Sequence, residues 1–118
     1  MFMVKMLILD CTQWFDRDNP GGIGDWELAG HSSIPTSSIK CKNYMIQVKD
    51  NSFPANVMTN SAQVLAMTGN YATFLFPASG FSNAGFLCTN LPHSGNPTLP
   101  TNQKQRCKDF SVRFCCQK

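Results

Sequence analysis

Two adjacent cysteines, Cys115 and Cys116, close the most regular stretch of this chain, and their junction constrains the fold more than any other feature. From Asp109 the residues alternate: Phe110, Val112, Phe114 and Cys116 share one face, while Asp109, Ser111, Arg113 and Cys115 share the other, the period of a β-strand. Cys116 is therefore expected to look into a core and Cys115 outward. Neighbouring strand cysteines that point apart cannot bond each other without heavy strain, so each must tie this strand to a different part of the chain.

The cysteine total supports that expectation. Six cysteines form no CxxC, and only two histidines, His31 and His93, accompany them, so a Cys/His zinc site has little to work with. Three disulfides formed in an oxidising, extracellular compartment are expected instead. Spacing alone leaves the pairing open. Cys88 with Cys107 is preferred because it closes a long aperiodic loop rich in Pro, Gly and Asn, which leaves Cys11 and Cys41 for the terminal pair. Residues 1–10 are too short for a complete secretory signal, so the expectation is that a signal is missing or that the chain begins inside a longer protein.

At 118 residues the chain reads as one domain, 1–118, with its core at about 10–116. Short strand signals recur. Residues 2–9 are apolar, Tyr44 to Lys49 alternates, and Tyr71 to Phe76 is aromatic-rich before Pro77 stops it; Val57 to Met67 fits either strand or helix. The expected class is all-β, a small disulfide-stapled β-sandwich-like domain with long loops. No apolar run approaches a membrane-spanning length, and a net charge of +3 with few interleaved aromatics argues against nucleic acid. The charges are unevenly placed. Between Asp50 and Lys104 there is no Asp, Glu, Lys or Arg, a neutral stretch that suits neutral partners such as glycans, a matrix protein or a second copy.

The acids cluster as the cysteines disperse. Asp16, Asp18, Asp25 and Glu27 are four of the seven carboxylates and fall within twelve residues that also hold Pro20, Gly21, Gly22 and Gly24. Crowded carboxylates need a compensating charge, and glycines let a segment turn its carbonyls inward, as a calcium cage of oxygen ligands requires. The spacing follows the EF-hand loop at its first, third, sixth and twelfth positions. Pro20 replaces a ligand at the fifth, and the β-branched and aromatic flank from Leu7 to Phe15 is not an amphipathic helix. A calcium loop of another kind is expected, against the alternative of a solvated Asn-Pro-Gly-Gly turn.

Other chemistries have less behind them. Ser82, in Gly80 to Ala84, comes near a nucleophile elbow but lacks the large α/β context and a partnered histidine, so no enzyme is expected. Trp14 and Phe15 are expected in the core beside a disulfide, while Trp26, between two acids, is expected partly exposed and is the candidate for stacking on a sugar ring. The only Asn-x-Thr sequence, at Asn96, is blocked by Pro97, so N-glycosylation is not expected.

Together, Cys11 to Asp16, Asp18 to Gly22, Gly24 to Glu27, Gly85 to Cys88 and Cys107 to Cys116 resemble the WxxW domain, also called CysD. This module is interspersed in gel-forming mucins and present in cartilage intermediate layer protein. The resemblance implies an extracellular, disulfide-stapled, β-rich, non-enzymatic module that binds calcium and tunes self-association, with matrix or mucin-type proteins as partners. It implies calcium ligands among Asp16, Asp18, Asp25 and Glu27, completed by carbonyls of the Asn19 to Gly24 turn. Cys11 stands where the motif's first tryptophan would be, so C-mannosylation is not implied, and the form is closer to that of the cartilage protein. The six cysteines are also fewer than mucin modules usually carry.

Overall fold

A computed structural model describes residues 8–16, 24–30, 34–89 and 107–118. Among the described residues seven strands and one α-helix follow in the order β1 (Leu9–Cys11), β2 (Gly24–Leu28), β3 (Met45–Asp50), β4 (Val57–Met58), α1 (Ser61–Thr68), β5 (Ala72–Leu75), β6 (Gly85–Thr89) and β7 (Phe110–Gln117), with a short 3-10 turn at Thr36–Ser38 before β3. Every pairing is antiparallel. One sheet runs β1-β7-β3-β4 and the other β2-β6-β5, so the longest strand, β7, is central in the first and β6 in the second.

The two sheets share one core. Ile46, Val48, Met58, Phe110, Val112 and Phe114 meet Phe86, Cys88 and Phe74, with the Phe86 and Phe110 rings 4.8 Å apart between centroids. This is the stapled β architecture that the alternating strands imply. All three disulfides form: Cys88–Cys107 within the second half, and Cys11–Cys115 and Cys41–Cys116 dividing the adjacent pair. The strand alternation thus holds for the bonding, since Cys116 packs against the core and Cys115 lies on the opposite face, across from Cys11 in β1.

That opposite face is covered rather than solvated, which corrects two expectations. Cys115 and Ser111 are buried although they point away from the core. Trp14 is not in the core beside Phe15: its ring lies over Lys49 Nζ at 4.6 Å and Arg113 at 4.4 Å, while Gln47 Oε1 accepts from Arg113 Nε at 2.7 Å. The segment keeps running antiparallel to β7 through both aromatics, from Cys11 opposite Cys115 to Phe15 opposite Val112, so neighbouring side chains take opposite sides. Phe15 bridges to Val112 with its backbone and turns its ring inward, so Trp14 must face the cations outside.

Val57 to Met67 contains both of the alternatives left open by its pattern. Its first two residues make β4, then Asn60 caps α1 by accepting from the Gln63 N–H at 2.9 Å, and the Gln63 side chain accepts from the Thr59 N–H at 2.7 Å. Gly69, at φ 77°, ends the helix in the left-handed conformation. The apolar run 2–9 lies outside the described residues except for its end, where Leu9 opens the edge strand β1. Among the described residues no helix is long and apolar enough to cross a membrane.

Candidate functional site

The second half of the acidic block is a strand, not a turn, and this changes where its carboxylates go. Residues two apart on a strand share a face, so Asp25 and Glu27 both point inward from β2, whereas Trp26 points out. Both acids are fully buried. Across the sheet Asp25 is opposite Cys88 and Glu27 opposite Phe86, which places the pair beside the Cys88–Cys107 disulfide and the central aromatic ring. Gly85 lets the strands close, for at φ 147° it has no Cβ to strike the Glu27 carbonyl.

Within this pair Asp25 is the strained member. Asp25 Oδ2 accepts from the Phe110 N–H at 2.6 Å, but its buried Oδ1 has no hydrogen-bond donor among the described residues. Burial raises the Asp25 pKa from 3.8 to about 9; the Phe110 N–H opposes the shift, and neighbouring Glu27 and the charge of Asp109 add to it. Asp109 holds a second buried oxygen, Oδ1, without a donor among the described residues. Oxygen atoms that are dry, acidic and lacking donors require either a proton or a cation.

The remaining predicted ligands are placed differently. Asp16 is exposed, and its Oδ2 accepts from Asn51 Nδ2 at 3.1 Å while Asn51 Oδ1 accepts from Ser111 Oγ at 2.7 Å. Asp16 is thereby tied to Ser111 and Asp25 to Phe110, adjacent residues at the start of β7. Residues 17–23, Asp18 among them, lie outside the described residues, as do His31 and His93. Among the described residues no three His, Cys, Asp or Glu side chains are gathered closely enough to hold a metal alone. The structure therefore brings together Asp25 and Glu27, with Asp109 as an electrostatic neighbour that spacing did not single out. Its signal lay in the Cys88–Cys107 pairing, because Asp109 follows Cys107 by two residues and Asp25 pairs with Cys88.

The other candidates separate as clearly. Trp26 is half-buried, in a cross-strand row with Leu87 and Thr73, and its indole Nε1 is buried, so it offers only part of its ring. Ser82 is exposed in the turn before β6, and no histidine lies among the described residues.

Comparison with known proteins agrees with the stapled fold. No curated protein and no solved structure matches the chain. A family profile described as the Mucin-2 protein WxxW repeating region matches residues 11–116, from the first cysteine of the disulfide frame to the last. That match spans both sheets, all six bonded cysteines and the buried acidic pair, and the chain belongs to this mucin WxxW family.

Proposed function

We propose that the chain is an extracellular interaction module of matrix or mucus type, held in shape by a structural calcium ion at Asp25 and Glu27. The observation that carries this reading is the fully buried Asp25, whose Oδ1 has no donor among the described residues beside a second buried acid. The donors present are carboxylate oxygens, the ligand class of a hard divalent cation. Asp25 and Glu27 would hold the ion, with Asp18 as the proposed additional carboxylate and backbone carbonyls of residues 19–24 completing the shell. When bound, calcium would supply positive charge beside the Asp25 Oδ1 oxygen, so its binding energy would add to folding energy.

The mucin WxxW family and the three disulfides support an extracellular setting and a structural, non-enzymatic role. The proposed partners are matrix or mucin-type proteins, or further copies of the module. Carbohydrate binding through Trp26 stands second, because the half-buried ring leaves a sugar less surface to stack on.

Thermal melting tests the calcium clamp. Millimolar calcium should raise the melting temperature by about 5–15 °C over the chelated protein, with magnesium well behind. Identical melting with calcium and with chelator would sink the clamp.

A further inference from the structure

Cations crowd on the outer face of the first sheet. The side chains of β3 and β7 that point away from the core pair across the strands as Gln47 with Arg113 and Lys49 with Ser111. Trp14, from the segment that follows β1, joins them there. Lys49 Nζ is 4.6 Å and the Arg113 guanidinium 4.4 Å from the centroid of this one ring. The two positive charges therefore sit closer together than the screening length in 0.1 M salt, about 10 Å.

Like charges this close repel, and no carboxylate pairs with either among the described residues. Asp16 reaches the same face, but its Oδ2 accepts from Asn51 Nδ2, while Asp25, Glu27 and Asp50 are buried elsewhere. Arg113 gives its Nε–H to the neutral Gln47 Oε1. The indole attracts each cation through its π-face but carries no net charge to cancel them. Trp14, Lys49 and Arg113 are all half-buried, so the cations are held in place by the ring and the sheet.

The chemistry that completes this arrangement is an anion rich in oxygen. A guanidinium fixed through its Nε–H still presents both terminal nitrogens, side by side, to a sulfate or carboxylate, and the lysine adds a point charge. One small anion cannot neutralise both cations, so the occupant needs negative groups repeated at short spacing. A sulfated glycan carries them on a stiff chain, whereas an acidic peptide would lose more conformational freedom in matching two fixed charges.

We propose that Trp14, Lys49 and Arg113 form a binding site for sulfated glycans, in which the two cations contact sulfate groups and the indole fixes their spacing. The site uses neither Asp25 nor Glu27, so it stands or falls separately from the calcium clamp. It also differs from the Trp26 reading, which takes a neutral sugar on the other sheet.

Titration calorimetry of the intact chain in calcium with a heparin-derived hexasaccharide, at about 50 mM salt, tests the proposal. The unsubstituted chain should bind with a Kd on the order of 10 µM. Arg113→Gln and Lys49→Gln should each weaken binding by about fivefold or more. Lys40→Gln removes the same charge beside Phe114, on the opposite side of β7, and should cost less than about twofold. Melting temperatures should stay within about 3 °C of the parent. A fluorescence titration reads occupancy with both cations intact: the hexasaccharide should change the indole emission of the parent, and Trp14→Phe, which keeps Trp26, should lose that change. Absence of binding overturns the proposal, as does an equal loss in Lys40→Gln and Arg113→Gln or equal binding of the desulfated hexasaccharide. Inorganic sulfate that competes as well as the hexasaccharide would overturn it in favour of a small anion, and a polyglutamate peptide that binds as tightly would do so in favour of an acidic protein.

Discussion

Asp25 shows how one buried oxygen ties the acidity of a site to the stability of a fold. Its carboxyl is raised to about 9 from 3.8, chiefly by burial, so in the metal-free protein the folded state holds a proton that the unfolded chain releases above about pH 4. The sign follows directly. Across the interval between those two values the folded state binds more protons than the unfolded state, and stability is lost as pH rises. In chelator, the melting temperature should therefore fall steadily from about pH 5 to pH 9, and calcium should flatten the profile by replacing the proton with a held cation. Asp25→Asn separates charge from shape, since the amide oxygen still accepts from the Phe110 N–H. That variant should melt higher than the chelated parent at pH 8 yet gain less from calcium. A flat chelated profile for the parent would show that Asp25 is already compensated. Trp14 illustrates the converse: it stays outside the core because two cations accept its ring.

At the scale of elements, the approach of β2 to β6 determines whether the acidic pair is buried at all. Gly85 is the hinge of that approach, because a Cβ there would collide with the Glu27 carbonyl in addition to the strain of φ 147°. Gly85→Ala should cost about 3 kcal/mol in denaturant unfolding and weaken the calcium response with it, whereas an unaltered midpoint would mean that the two strands separate freely. These same strands were the least legible in the sequence. β3, β5 and β7 announce themselves by alternation or aromatic runs, but Gly24 to Leu28 follows a turn signal and carries two acids, which reads locally as a loop. Its strand character comes from pairing with Gly85 to Thr89, a segment distant in sequence. The crowding of Asp25 and Glu27 was visible from composition, but their burial was not, because burial depends on that long-range register. Asp109 was read as an outward strand residue for the same reason.

For the molecule as a whole, the three disulfides divide the work between holding the frame and holding the site. Cys11–Cys115 spans 104 residues and joins the first strand to the last, while Cys88–Cys107 spans 19 and sits beside the acidic pair. If loop closure in the unfolded chain governs, the longer span stabilises by about 1.5 kcal/mol more than the shorter. Replacing Cys11 and Cys115 with alanine should then lower the melting temperature further than replacing Cys88 and Cys107. The calcium response should rank in the opposite order. Cys88 faces Asp25 across the sheet, and Cys107 leads within three residues to Phe110, whose N–H binds Asp25. Cutting that link frees Asp109 and Phe110 from the acids while β1 remains fastened to β7. The Cys88/Cys107 variant should therefore remain folded at a moderately lower melting temperature and lose most of its calcium-induced shift, and the Cys11/Cys115 variant should melt lower but keep the shift. Equal calcium shifts in the two variants would show that the site does not depend on its neighbouring staple.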